Sequence, residues 1–342
     1  MKALLYETFG GDIRVADVPD PTAPDGGAVI RVTASGLCRS DWHAWIGHDD
    51  TVHPPHVPGH EFAGEVVAIG SGVRRWRVGD RVTTPFVNGC GTCTWCLSGQ
   101  AQVCPDQTQP GFTHWGSHAE FVAVRAADLN LVAVPDAISD DAAASLGCRF
   151  ATAYRAVTAR AGIRPGEWLA VFGAGGVGLS AVQIAAGLGA HVIAVDPSAD
   201  ARALAADLGA ELVLDAADDV PGLIAEATDG GAHASLDAVG SAQIASAAIL
   251  SLRRRGRHVQ VGLLADPETA IPLGRVLAWE LDVLGSHGMS AADYPQLLDL
   301  VTTGILDPAR LLSRTVGFAE AAELLPASGM PTAGITVLHP AD

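Results

Sequence analysis

Charge is scarce in this sequence, and positive charge is the scarcer sign. Charged residues make up 17% of the chain, against about a quarter in an ordinary soluble domain. Only 21 Lys and Arg stand against 38 Asp and Glu, for a formal net charge of -17. Such a surface repels phosphate backbones and anionic headgroups, so nucleic acid and membrane surfaces are not expected partners. Aromatic residues are few, at 5%, so the cores must be built largely from aliphatic side chains and alanine. The longest uncharged run, Trp168–Val195, is broken by glycines and by Ser180, Gln183 and His191, so a spanning helix is not expected. The apolar start of the chain stops at Glu7, which argues against a secretory leader and for a cytoplasmic location. Repeats of fixed period and low-complexity tracts are also missing. What remains is material for two packed cores: 342 residues, 49% of them hydrophobic.

Two styles of sequence divide the chain. Up to about residue 148, short alternating runs such as Lys2–Tyr6, Ala28–Val32, Gly64–Ile69 and His118–Val124 are punctuated by Gly, Pro and Asp. That pattern predicts an all-β region, a partly closed barrel. From about residue 150, apolar strands alternate with helical segments, beginning with Trp168–Phe172, Val177–Leu188 and His191–Val195. Alternation of this kind predicts a parallel sheet covered on both faces. The tail ends in a strand over Ile335–Leu338.

Six cysteines are present, and four crowd together. Cys90, Cys93, Cys96 and Cys104 have the spacing C-x2-C-x2-C-x7-C. Four thiolates within fifteen residues can wrap one tetrahedral zinc ion, and a four-thiolate site leaves no open position, so it is structural. An iron–sulfur cluster is the rival, but the ferredoxin run has three residues before its last cysteine rather than seven. Cys38 and Cys148 remain, each next to a glycine-containing turn, with His60 between them in sequence. Two thiolates and one imidazole suit a catalytic zinc with an open fourth position. Taken singly, each of these residues is more often a buried structural side chain.

The segment Phe172-Gly173-Ala174-Gly175-Gly176-Val177-Gly178 contains G-x-G-x-x-G between a strand and a helix. Asp196 ends the next strand, 18 residues past Gly178. Glycines there permit a tight turn and close approach of pyrophosphate to a helix N-terminus. An acid at Asp196 accepts hydrogen bonds from ribose hydroxyls and repels a 2′-phosphate, which favours NAD over NADP. Arg202, one turn into the following helix, is the residue that keeps NADP open.

The words around these residues resemble the zinc-dependent alcohol dehydrogenases of the medium-chain dehydrogenase/reductase superfamily. Gly36-Leu37-Cys38-Arg39-Ser40-Asp41-Trp42-His43, Gly59-His60-Glu61-Phe62-Ala63-Gly64, the four-cysteine lobe, Gly147-Cys148 and the glycine loop follow one another in that family's order over essentially the whole chain. Alcohol dehydrogenase is the type example of a catalytic zinc on two cysteines and one histidine. The resemblance implies an α/β protein: a Rossmann doubly wound parallel sheet plus a GroES-like β-barrel catalytic domain. The expected division is 1–151 for the catalytic domain with its zinc lobe at about 88–106, 152–286 for the NAD-binding domain, and 287–342 for a return to the catalytic domain.

By position, the resemblance gives Cys38, His60 and Cys148 to the catalytic zinc. Glu61 is implied as a carboxylate that enters the coordination shell during exchange, and Asp41 as the group that orients His60. Arg39 matches a pyrophosphate contact, Thr152 a nicotinamide contact, and Ser40 with His43 a proton relay through the cofactor ribose to solvent. Gly173, Gly175, Gly176, Val177, Gly178 and Asp196 complete the cofactor set. Phe86 matches a pocket-lining aromatic; Trp115 and Trp45 are further candidates for the substrate wall, against the alternative of core packing. Some relatives carry an arginine in the last strand, where this chain has Ile335. The expected enzyme holds two zinc ions per chain, uses NAD, acts on a small alcohol or carbonyl compound, and assembles as a homotetramer, with a dimer as the alternative. Rival readings are a polyol dehydrogenase of the same superfamily, which Cys148 disfavours, a zinc-free quinone reductase, which the cysteine lobe disfavours, and a non-catalytic NAD-binding module.

Overall fold

The computed structural model describes residues 1–264, 268–326 and 334–341. Two compact units divide the chain. One takes in Met1–Ala151 and most of the chain from Gly288 onward, and the other Thr152–His287.

The second unit is built on six parallel strands in the order Leu212–Leu214, His191–Val195, Trp168–Phe172, Ala232–Asp237, Leu252–Gln260 and Asp282–Gly285. Chain order therefore reverses between Trp168–Phe172 and Ala232–Asp237, which makes the ends of these strands the switch point of a doubly wound sheet. Leu169, Ala170, Val171 and Phe172 are all buried, as expected of a strand covered on both faces. Glycine 178 lets the helix Gly176–Gly187 sit down on the strand: a Cβ there would lie 1.7 Å from the Gly173 carbonyl oxygen. At the far edge, Val283 is exposed on the last strand, and Leu273 and Leu277 are 65% and 83% exposed on the helix Leu273–Trp279. These apolar side chains face outward from a sheet edge.

In the first unit, Ala28–Leu37 is the organising strand. Glu61–Ile69 pairs along it on one side; Phe121–Val124 and Ile335–Leu338 pair along its two halves on the other. Arg81–Thr83 and Val132–Ala133 extend the sheet beyond Glu61–Ile69, and Leu312–Val316 extends it beyond Ile335–Leu338. The core between the folded faces is mainly aliphatic, with Ile30, Val32, Val66, Val82 and Val122 packed around Phe62 and Trp76 in one cluster. Ile335 is fully buried in this unit. The organising strand runs five residues further than the apolar alternation suggests, through Thr33, Ser35 and Gly36 to the edge of Cys38. Its partner begins three residues before the expected Gly64, at Glu61. Among the described residues, no helix is long and apolar enough to cross a membrane.

Candidate active site and metal centres

The end of the organising strand turns at Cys38 into the helix Arg39–Trp45. Asp41 closes that turn by accepting the Cys38 N–H at 2.9 Å. Its other oxygen accepts the Gly59 N–H at 3.1 Å and lies 2.8 Å from His60 Nδ1. Asp41 is therefore both a helix cap and the group that fixes His60. Burial works against its charge, but the imidazoles of His60 and His118 more than offset it and hold its carboxyl at about 2. With Nδ1 committed to Asp41, His60 Nε2 is a buried ring nitrogen with no partner. A ligating histidine has this arrangement, with a carboxylate on one nitrogen and the metal on the other.

Cys38, His60 and Glu61 present ligand atoms within 4.8 Å of one another, all buried. Cys148 falls outside that group, but its thiol interacts with Cys38. This contact, against burial and with help from the Arg149 guanidinium, holds the Cys38 thiol well below its ordinary value. Cys148, donating, is held well above its own.

Glu61 lies opposite Gly36 across the two strands. Its carboxylate accepts the Arg149 backbone N–H at 2.8 Å and Nε–H at 2.9 and 2.8 Å, and forms a further short bond with Nη2. Both side chains are buried. A Cβ on Gly36 would lie 2.5 Å from Glu61 Oε2 and 2.8 Å from Arg149 Nη2, so this ion pair occupies the room a side chain would take. Arg149 carries no motif signal; only its position marks it, a charge directly after Cys148 in an apolar stretch.

Around the imidazole of His60 stand Phe86 and Phe112, with ring centres 6.0 and 5.1 Å away. Phe112 was not foreseen. It also lines a cavity of about 620 Å³ together with Trp115, His56 and Phe121. Trp115 donates its indole N–H to Pro55. Trp45 packs against Tyr6, Ala44, Val52 and Phe112 and donates to Gly11 at 2.8 Å. His43, half-buried, meets the exposed His48 with 3.0 Å between their Nδ1 atoms. Burial first, then Arg39 and His48, hold its pKa below the ordinary 6.5. Ser40 is half-buried and Arg39 exposed, both on the first turn of the same helix.

The four-cysteine lobe is self-contained. Sγ–Sγ distances are 4.0 Å for Cys90–Cys96 and 3.7 Å for Cys93–Cys104. A tetrahedron of thiolates about zinc has edges of about 3.8 Å. Backbone N–H groups of Cys90, Thr92 and Cys96 point at sulfurs of the set. The apolar interior here is the cysteines themselves, with Ala101 and Leu129, while Trp95, Leu97 and Val103 face outward.

In the second unit, Gly173 has φ +91° and Gly175 is open on the side where a Cβ would project, leaving the backbone free for close approach. Gly176, Val177 and Gly178 form the first turn of the helix that follows. Asp196 accepts the Ala174 and Ser198 N–H groups at 2.7 and 2.8 Å, which ties the glycine turn to the end of the second strand. Arg202 is taken up by Asp215 at 2.9 Å and by the Asp196 carbonyl. The Thr152 hydroxyl is buried without a partner.

Residues 24–136 match the alcohol dehydrogenase GroES-like domain and residues 176–303 the zinc-binding dehydrogenase family. An alcohol dehydrogenase of Geobacillus stearothermophilus is 36% identical over 89% of this chain and 90% of its own length. A sorbitol dehydrogenase of Halalkalibacterium halodurans is 33% identical over 94% of each. The structure of an alcohol dehydrogenase from Thermus sp. ATN1 superposes with a TM-score of 0.91 at 31% identity, covering 99% of both chains. The chain belongs to the zinc-dependent alcohol dehydrogenases of the medium-chain superfamily. It is an oxidoreductase that transfers hydride between an alcohol or carbonyl compound and NAD(P), with zinc.

Proposed function

We propose that this enzyme is a cytoplasmic, NAD-preferring dehydrogenase of small to medium-sized, largely apolar alcohols and carbonyl compounds, with two zinc ions per chain. The observation that carries the reading is His60, fixed by Asp41 and leaving a buried, unpartnered Nε2 beside the Cys38 sulfur. Cys38, His60 and Cys148 would hold the catalytic ion, and Cys90, Cys93, Cys96 and Cys104 the structural one. When bound, zinc supplies polarisation of the substrate oxygen, and the nicotinamide supplies or takes the hydride. The protein's own part is to place and discharge the proton. Ser40 accepts it from the substrate hydroxyl, and His43 passes it outward, where His48 stands next in line. An imidazole held neutral below its ordinary pKa suits a base that works near neutral pH. Phe86 and Phe112 supply apolar walls, and Trp115 a wall of the adjoining cavity.

NAD preference rests on Asp196, and on Arg202 being engaged by Asp215 and so withdrawn from a 2′-phosphate. Arg39, Thr152, Gly173, Gly175, Gly176, Val177 and Gly178 would complete the cofactor contacts. The apolar edge formed by Val283, Leu273 and Leu277 supports a homo-oligomer, a tetramer or its constituent dimer. A polyol substrate is the second reading, favoured by the grouping of Glu61 with Cys38 and His60. The test is absorbance at the nicotinamide band with primary alcohols, secondary alcohols and polyols, each with NAD and NADP. Higher kcat/KM with NADP would overturn the cofactor reading. Higher kcat/KM for polyols would replace the first substrate reading by the second.

A further inference from the structure

We infer that Arg149 is a positioning residue for the catalytic metal: it holds the Glu61 carboxylate back from the ion and so keeps the fourth coordination position for substrate. This rests on Cys38, His60 and Cys148 being the ligands.

The argument begins with supply and demand around one carboxylate. An ionised carboxylate offers about four lone-pair sites. Arg149 fills them with its backbone N–H, with Nε–H shared between both oxygens, and with Nη2. Yet a Glu61 oxygen lies within 4.8 Å of the ligand atoms of both Cys38 and His60. The carboxylate is thus close enough to compete for the metal and is fully engaged elsewhere. The clamp is also rigid. Arg149 is 6% exposed and Glu61 is not exposed at all. Both lie against the bare Cα of Gly36, where even a methyl group would collide with the pair. A planar guanidinium matches a carboxylate with two parallel donors, which a lysine cannot do. Charge points the same way. Two thiolates and Glu61 would place three negative charges around a dication, and Arg149 offsets one of them without occupying a coordination position.

Removing the guanidinium leaves Glu61 buried with one obvious positive partner, the metal. The test uses the full-length enzyme with cobalt exchanged for zinc, in wild type, Arg149→Gln, Arg149→Lys and the double variant Arg149→Gln/Glu61→Gln. Cobalt in the four-cysteine lobe contributes equally to all four and cancels in difference spectra. Arg149→Gln is expected to weaken the visible d–d bands, the signature of an added ligand, and to slow metal release to a chelator. It should raise the KM for alcohol on the order of ten-fold, the scale of changes beside a metal's ligands, with a smaller change in kcat. Arg149→Lys should fall between wild type and Arg149→Gln. The double variant should return spectrum and KM toward wild type, because no carboxylate remains to compete. A purely structural arginine would lower stability without moving the spectrum, and the second substitution would not restore it. An Arg149→Gln spectrum identical to wild type, or one that stays altered in the double variant, overturns the proposal. If Arg149→Gln does not fold, wild-type spectrum and release rate in Arg149→Lys overturn it. Wild-type enzyme that takes up no cobalt outside the lobe overturns the ligand reading itself, which separates that failure from this one.

Discussion

Two candidate metal centres sit in the same unit and are built on opposite plans. The lobe draws all four ligands from fifteen consecutive residues, Cys90 to Cys104. Its apolar interior is little more than the ligands. The catalytic group draws Cys38 from the end of one strand, His60 from the start of its neighbour, and Cys148 from more than 80 residues beyond His60. There the candidate ligands rest on an apolar core, with Asp41 holding Cys38 and His60 and Arg149 holding the adjacent Glu61. On the reading proposed above, the lobe would need its ion to hold a shape, whereas the catalytic group would be shaped first and then receive one. Loss of metal should therefore unfold one and merely silence the other.

The sharpest way to break this contrast is at Cys38. Cys38→Ser should lower kcat/KM by on the order of 1,000-fold, the equivalent of about 4 kcal/mol of transition-state stabilisation. Metal content should fall by one ion per chain while circular dichroism and melting stay near wild type. Unfolding of this variant would erase the distinction. Cys104→Ser should do the reverse. It should lose the other ion, lower the melting temperature by several degrees and expose residues 88–106 to proteolysis, while surviving folded enzyme keeps most of its kcat. A kcat loss as large as that of Cys38→Ser would mean the lobe is not an independent structural element.

A finer cut is made at Asp41, which serves the helix turn and His60 at once. Asp41→Asn keeps a cap but weakens the hold on Nδ1, and metal affinity at the catalytic group should fall roughly 10–100-fold. Titration with a chelator measures it; an unchanged affinity would reduce Asp41 to a cap. The smallest effect is expected at His43. His43→Gln should lower alcohol oxidation by about ten-fold, within the range of single proton-transfer groups. The sign of its pH dependence follows from the lowered pKa. Wild-type imidazole stays neutral, and able to accept a proton, to pH values below 6.5, so wild-type activity should persist further into acid than an ordinary histidine would allow. That limb should vanish in His43→Gln, and imidazole buffer should restore part of the rate. Identical profiles would assign proton release to another route.

The two plans also explain what could be read from sequence. A centre made of neighbours announces itself by spacing, and the cysteine lobe was legible residue by residue. The glycine loop was legible for the same reason, since Gly173 to Gly178 and Asp196 sit in one βαβ unit. At the catalytic group the candidate ligands, and Asp41 behind His60, took most of their weight from family resemblance, and the remaining supports could not be named. Arg149, Phe112 and His118 come from distant stretches of the chain, with no spacing to reveal them, while His48 meets His43 from only five residues further along the same turn. Polar and small residues near the site also blurred the element boundaries. Strand Ala28–Leu37 was expected to stop at Val32 because Thr33, Ser35 and Gly36 interrupt its apolar alternation. Strand Glu61–Ile69 was expected to start at Gly64 because a buried glutamate does not look like a strand core. Functional demand overrides local pattern where the site is built.

Gly36 makes the catalytic group vulnerable in a place that a catalogue of its chemical groups would leave out. It donates no electrons, moves no proton and binds no ion; what it contributes is the absence of atoms. Replacing its hydrogen by a methyl group would press on Glu61 and Arg149 together. Among natural variants of this enzyme, an alanine at position 36 would be scored as a mild exchange of one small residue for another. Its consequence would be a change in how tightly the enzyme holds metal and alcohol, in a chain whose every reactive group is intact.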